Sequence, residues 1–342
     1  MKEIQKHIKS GDIKKCYLFY GSENFLKKNY EERLKKAIID PSFEMMNYLC
    51  MEDKSISVEK IMDFCETMPF FSDKKLLIVR NSGYFRGSKK GDDDTEKDTG
   101  SSEEVDTLEE YIKNLPDSVC LVFSEDEIDK RKKIYKTFTK IGYACEFKTP
   151  DEKDIIEWIS RSLKKYKIVI SKSTASYLIR SAGGELENLS REIEKLESYK
   201  KEGEEVTVKD IDDICTKSLE TKIFDLVGAI GKRKPDKALT IYKNLILMKE
   251  YPGMILYMVV RQFRLILQCM VLTNAGEDMK SIATMIGIRD FVVKECIAQS
   301  KNFTVSGLKR ALEECIEIDM SIKTGLIDAE TAVETLILKY SI

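Results

Sequence analysis

Two uninterrupted apolar runs, Leu76-Leu77-Ile78-Val79 and Val119 to Phe123, constrain the fold of this chain more than any other feature. A strand with one face in water alternates apolar and polar residues, whereas a strand apolar at every position is covered on both faces. That is the situation of a parallel sheet sandwiched by helices. Cys16-Tyr17-Leu18-Phe19-Tyr20, stopped by Gly21, reads as a further strand of this kind, and Asn47 to Met51 and Ala144 to Phe147 as two more. Helical patterns lie between them. Leu26, Tyr30, Leu34 and Ala37 share one stripe. Val58, Ile61, Met62 and Cys65 share another over Val58 to Thr67, with Ser57 placed as its N-cap and Ile56 and Ile61 as a hydrophobic staple.

The pattern changes at Pro150. Thr149-Pro150-Asp151-Glu152 predicts a helix start, with Thr149 as N-cap, Pro150 at N1 and Glu152 at N3. Helices dominate from there. Ile155, Ile156, Ile159 and Leu163 form one stripe; Leu186, Leu189, Ile193 and Leu196 form another after Gly183-Gly184. Tyr199 to Glu205 reads as a loop, and Thr207 opens a short helix ending near Cys215. Beyond Thr216 the block is all helical. Pro235 and Pro252 stand where helices begin, Tyr251 to Thr273 is apolar on more than one side as the centre of a bundle would be, and a closing helix carries Val333, Leu336, Ile337 and Tyr340. The expected architecture is an α/β domain over 1–149, a small helical domain over 150–215 and a helical domain over 216–342. Within the first, Gly87 to Thr107 is rich in Gly, Ser, Asp, Lys and Glu and is expected to be a mobile surface insertion.

Composition excludes several function classes. The 342 residues suit two or three domains, and a net charge of −2 gives the whole molecule no strong pull toward nucleic acid. The nine cysteines include no C-x-x-C pair and His7 is the one histidine, so a zinc site of the usual spacing is not expected. The thiols read as small buried hydrophobes in a reducing compartment. Met1 to Lys15 has no apolar run, and Met254 to Val260, the longest apolar stretch, ends at Arg261, far short of a bilayer span. No membrane association is expected, and the cytoplasm is the expected location.

Four segments could carry function. Gly21 sits between a strand and a helix, the setting of a phosphate-binding loop. At the positions such a loop needs for its second glycine, its lysine and its Ser/Thr, the chain has Leu26, Lys27 and Lys28. The leucine blocks a phosphate cradle and no hydroxyl is left for magnesium. After the third strand, where an ATPase of this shape places Asp-Glu, stands Arg80-Asn81, and a cation there opposes metal binding. Ser281 to Ile288 followed by Arg289 to Gln299 has helix-turn-helix spacing, but Arg289, Asp290, Lys294 and Glu295 mix charges poorly suited to DNA, so two packed bundle helices are the favoured reading. Finally, Met68-Pro69-Phe70-Phe71-Ser72 puts two aromatics in a short connection after a helix. Physics alone slightly favours their folding back into the core; exposed, they would anchor a partner.

Taken together, these residues resemble the delta subunit of the bacterial DNA polymerase III clamp loader. The resemblance is carried by Tyr17-Leu18-Phe19-Tyr20-Gly21-Ser22-Glu23, by Cys65 to Ser72 with Lys75 to Val79 behind it, by Gly183-Gly184-Glu185-Leu186 with Glu192 to Leu196, and by Asp319 to Gly325 with the closing helix. It spans nearly the whole chain and rests on the order and spacing of these segments. It implies a degenerate AAA+-like domain, a helical lid and a helical collar for oligomerisation. ATP-using relatives carry an arginine soon after the Gly pair of the lid, whereas here none follows until Arg191. The resemblance therefore implies no ATP hydrolysis by this chain, no catalytic residues, no metal and no cofactor. It makes Met68, Pro69, Phe70 and Phe71 a hydrophobic plug for the sliding clamp, the beta subunit, and so reverses the core reading of the two rings. The implied partners are that clamp, the ATPase tau/gamma and delta prime subunits, and primed DNA within the assembly. The readings set against it are a free-standing ATPase, supported by Lys27, and a helix-turn-helix DNA-binding protein.

Overall fold

The structure, a computed structural model, describes residues 2–52, 56–87 and 102–342. The chain forms two compact units, Met1–Thr149 and Pro150–Ile342.

The first unit runs α1 (Lys2–Ser10), β1 (Cys16–Tyr20), α2 (Asn24–Ile38), a 3-10 turn (Pro41–Phe43), α3 (Glu44–Asn47), β2 (Tyr48–Glu52), α4 (Val58–Glu66), β3 (Lys75–Arg80), α5 (Ser102–Lys113), β4 (Val119–Glu125), α6 (Lys133–Ile141) and β5 (Tyr143–Glu146). Among the described residues, five strands of this unit pair in the order β2-β3-β4-β1-β5, all parallel, an AAA+-like sheet. The uninterrupted apolar runs follow from this geometry. Successive side chains point to opposite faces. Leu18, Leu77, Val79, Leu121 and Phe123 pack with Ile61, Leu108, Ile112 and Phe138 of α4, α5 and α6. Their neighbours Tyr17, Phe19, Leu76, Ile78 and Val122 pack with Ile4, Tyr30 and Leu34 of α1 and α2. α4 starts as expected, with the Ser57 hydroxyl accepting the Lys60 N–H and with Ile56 and Ile61 in one cluster.

The structure corrects several sequence readings here. α1 and α6 were not expected; each is short and strongly charged, although Ile4 and Ile8 of α1 and Ile134, Tyr135, Phe138 and Ile141 of α6 pack on the core. The expected insertion over 87–107 lies outside the described residues at 88–101, and from Ser102 the chain is already helical. Val105 and Leu108 belong to the core face of α5, a stripe hidden at its start by the acidic residues around it.

The second unit runs α7 (Glu152–Lys164), β6 (Val169–Ile170), α8 (Lys172–Ala182), α9 (Leu186–Tyr199), β7 (Glu205–Val206), α10 (Val208–Ile214), α11 (Leu219–Gly231), α12 (Pro235–Leu247), α13 (Pro252–Asn274), α14 (Met279–Ile286), α15 (Asp290–Ser300), α16 (Val305–Lys323) and α17 (Ala329–Ser341). α7 begins two residues later than the sequence suggested. Its N-cap is Asp151, whose carboxylate accepts the Asp154 N–H, while the Thr149 hydroxyl instead meets that of Ser22 at 3.0 Å. A carboxylate is a strong N-cap acceptor and complements the helix dipole. The stretch read as a loop up to Glu205 ends in a two-residue parallel strand pair with Val169-Ile170, too short for any periodicity to reveal. Thr207 does open α10, through a capping box with Asp210.

The bundle is centred on α13, whose Ile255, Leu256, Val259, Phe263 and Ile266 are buried among α11, α12 and α14 to α17. Counting only the uninterrupted run underestimated this helix. At 23 residues, with a mean hydropathy of 1.6 over its most apolar 18-residue stretch, α13 is long and apolar enough to cross a bilayer. Its buried stripe marks it as a core helix, and no other helix among the described residues passes that test. α14 ends at Gly287 in the left-handed conformation, the turn glycine that a helix-turn-helix also uses, and α15 follows from Asp290. Ile282, Ala283, Val293 and Cys296 of this pair are buried in the bundle core, and Arg289 is engaged with Glu185 at 3.5 Å. The packed-helix reading therefore fits better than the DNA-reading one.

Candidate functional site

Two places in the first unit bear on function, and they lie at opposite ends of β3. Near its C-terminal end lie the candidate nucleotide-loop and metal-position residues, and only some of them share a cleft. Gly21 has φ +117°, and a Cβ there would collide with the Phe147 carbonyl, so this glycine serves the close approach of two backbones. Leu26 packs against the core cluster on the α2 side of the sheet. Lys27 is buried, and its ammonium donates to the Glu125 carbonyl at 2.9 Å and the Asp126 carboxylate at 2.8 Å. The lysine that would meet a phosphate is thus committed to the end of β4. Arg80 donates to Glu31 at 2.6 and 3.0 Å and to Glu52 at 2.8 Å, so a guanidinium fills the region where a metal would need carboxylates. Asn81 follows in the left-handed region, φ 52°. Lys27, Lys28, Arg80 and Asn81 line a cleft of about 80 Å³, below the roughly 300–1,000 Å³ of ligand pockets. Gly21 and Leu26 do not line it.

Nearby, Glu125 is fully buried and accepts hydrogen bonds from Ser82 and Gly83; burial is the largest influence and pushes its carboxyl above the usual range. This carboxyl fixes the turn after β3. In the second unit Gly183 ends α8 at φ 84°, and Arg191, the first arginine past the glycine pair, pairs with Glu187 at 2.6 Å on the surface. Among the described residues no three His, Cys, Asp or Glu side chains gather in a way that could hold a metal ion.

At the other end of β3 the connection from α4 forms an apolar tip. Met68 is 87% exposed, Phe70 45% and Phe71 78%. Neither ring enters the core, contrary to the expectation from physics alone. The root of the connection is held by Lys75, whose buried ammonium donates to the Phe64 carbonyl at 2.9 Å and to the Thr67 hydroxyl, and lies 3.9 Å from the Phe64 ring centroid. Burial holds the Lys75 amine below its usual range. The C-terminal carbonyls of α4 supply the negative end of a dipole to this cation.

The tip also contains residues that sequence reasoning missed. Phe43 stacks on Phe71, centroids 5.7 Å apart and planes at 24°, and meets Phe70 edge-on at 5.9 Å; Phe70 and Phe71 meet edge-on at 4.7 Å. Met45, 97% exposed, and Met46, 60% exposed, stand two and three residues beyond Phe43. The available signal was three apolar residues, Phe43, Met45 and Met46, around a single charge in a short segment between a helix and a strand.

Comparison with known proteins agrees with this geometry. Residues 17–148 match the family "DNA polymerase III, delta subunit", and residues 220–340 match "DNA polymerase III delta subunit, C-terminal domain". The DNA polymerase III subunit delta of Bacillus subtilis is 28% identical over 98% of this chain and 96% of its own length. A probable DNA polymerase III subunit delta of Aquifex aeolicus is 20% identical over 82% of this chain and 77% of its own. The solved structure of the Bacillus subtilis DNA clamp loader delta protein superposes with a TM-score of 0.75 at 26% identity, covering 99% of each chain. With the sheet order, the helical second unit and both matched segments in agreement, this chain belongs to the DNA polymerase III delta subunit family, the clamp-loader component of a replicative polymerase holoenzyme.

Proposed function

We propose that this chain is the subunit through which its clamp loader grips the sliding clamp, the beta subunit, and holds that ring open for loading onto primed DNA. One observation carries the reading: Phe70 and Phe71 stand exposed on a tip braced by a third ring, beside α4, whose outer face presents Glu59, Lys60, Asp63 and Glu66. An apolar group held out of the core in this way serves a partner pocket. The work of opening comes from binding the open ring more tightly than the closed one. Reversing a ring that is 99% closed needs about 5.5 kcal/mol of differential affinity. Burying two phenylalanines contributes roughly 3–6 kcal/mol. The tip is therefore of the right order only if most of its contact forms with the open ring, and α4 must add to it.

In this reading the helical second unit joins the chain to the ATPase tau/gamma and delta prime subunits, residues 150–215 acting as lid and 216–342 as collar. The assembly, in the cytoplasm, holds the DNA. The test is a titration of the full chain against clamp carrying a fluorophore pair across one ring interface. Saturable binding with loss of proximity across that interface is expected; binding without separation would remove the opening role.

The chain acts without hydrolysing ATP. With Lys27 engaged by Glu125 and Asp126 and a guanidinium in place of a metal site, purified protein should release no phosphate from magnesium-ATP above a protein-free control. Lys27→Ala should leave that unchanged while lowering folding stability by about 1–3 kcal/mol, because it strips hydrogen bonds from a buried carbonyl. Turnover abolished by this substitution would restore the ATPase reading.

A further inference from the structure

The backbone of the tip has one outside anchor that the proposed function does not use. Asn47, the last residue of α3, is completely buried. Its side-chain nitrogen donates to the Phe70 carbonyl at 2.8 Å, and its side-chain oxygen accepts the Phe70 N–H, also at 2.8 Å. Both polar groups of the Phe70 backbone are thereby accounted for by a single side chain. A primary amide is planar and presents a C=O and an N–H side by side, as a peptide does, so this pair acts as one rung of strand pairing. The next residue, Phe71, has φ 46°, a left-handed conformation that costs a non-glycine residue energy and persists only where the surroundings impose it. The Phe43 ring, stacked on Phe71, supplies the other side of the clasp.

We infer that Asn47 is a positioning residue for clamp capture: its amide, with the Phe43 ring behind it, presets the Phe70-Phe71 tip in its docking conformation before the clamp arrives. The inference rests on the clamp-gripping reading of the tip. Its physical content is pre-organisation. A loop ordered in advance does not lose its backbone freedom at the moment of binding, and ordering even one residue costs enough to change affinity by about tenfold.

The experiment uses the full chain and the purified beta clamp. In Asn47→Ala, amide exchange at Phe70 should accelerate by about tenfold or more as its acceptor is lost, and clamp affinity should fall by about tenfold. In a Phe71→Ala background the same substitution should change affinity by less than about twofold, because the two residues act through one element. A role confined to general stability predicts equal losses in both backgrounds and would overturn the assignment. So would unaltered exchange at Phe70, or faster exchange with unaltered clamp affinity; the latter leaves the clamp reading standing. Unaltered affinity in Phe71→Ala alone overturns the clamp reading and this assignment with it. Asn47→Ser, whose hydroxyl cannot span both backbone groups, replaces the alanine variant if that protein does not fold. Phe43→Ala, at a partly buried position, tests the other side of the clasp and should weaken binding in the same direction.

Discussion

Replacing Phe70 and Phe71 together by alanine should weaken clamp binding a hundredfold or more while leaving the protein folded. Aromatic anchors in desolvated pockets cost about 2 kcal/mol or more each when truncated, and every 1.4 kcal/mol is about a factor of ten. The rings are 45% and 78% exposed in the free chain, so their loss removes little core packing. The ring contacts among Phe43, Phe70 and Phe71 are worth about 1 kcal/mol each, which bounds the loss of stability. Clamp affinity by titration and stability by urea unfolding can be read from one protein. An unchanged affinity in a folded double variant would remove the plug, and a loss of several kcal/mol in stability would return the rings to the core.

The largest effect on folding is expected at the other end of β3. Arg80→Ala should destabilise the protein by about 3–5 kcal/mol. Glu31 is 2% exposed and its Oε2 is held by the Arg80 guanidinium, while its Oε1 has no hydrogen-bond partner among the described residues. Removing the arginine leaves a buried carboxylate without compensation, which costs far more than the pair gains over an apolar substitute. The double change Arg80→Met with Glu31→Leu should therefore recover most of the loss. Denaturant midpoints of the three variants and the parent provide the measurement. A single-variant loss under about 1 kcal/mol would mean that water reaches Glu31 and the pair behaves as a surface one.

These two sites differ in how much of them the sequence revealed. The sheet was legible because Leu76 to Val79 and Val119 to Phe123 lie between helices on both faces, and burial on both faces leaves no polar position to obscure the run. The sequence alone spoke against a working nucleotide loop because phosphate binding demands particular residue types at fixed spacing, and Leu26 and Lys28 do not meet that demand. The fate of Lys27 was not legible, because its partners Glu125 and Asp126 lie about a hundred residues away across the sheet. The exposure of Phe70 and Phe71 was equally hidden from local reasoning. The Phe70 backbone there is bonded to Asn47, 23 residues upstream, and Phe71 has a positive φ that no propensity favours. β6 and β7 escaped for a simpler reason, since two residues have no period; α1 was missed although Ile4 and Ile8, one helical turn apart, both pack on the core.

The left-handed backbone at Phe71 limits how this part of the molecule can vary over evolutionary time. Valine and isoleucine are as apolar as many partners would require, but a second branch at Cβ is severely crowded at positive φ. Unbranched side chains such as Leu, Met, Tyr and Phe can occupy the position at lower cost, and glycine could take the conformation freely but would bring no wedge. Hydrophobicity scales rank isoleucine with leucine, yet at residue 71 the main chain separates them. Substitutions tolerated there should follow side-chain branching more closely than apolar area.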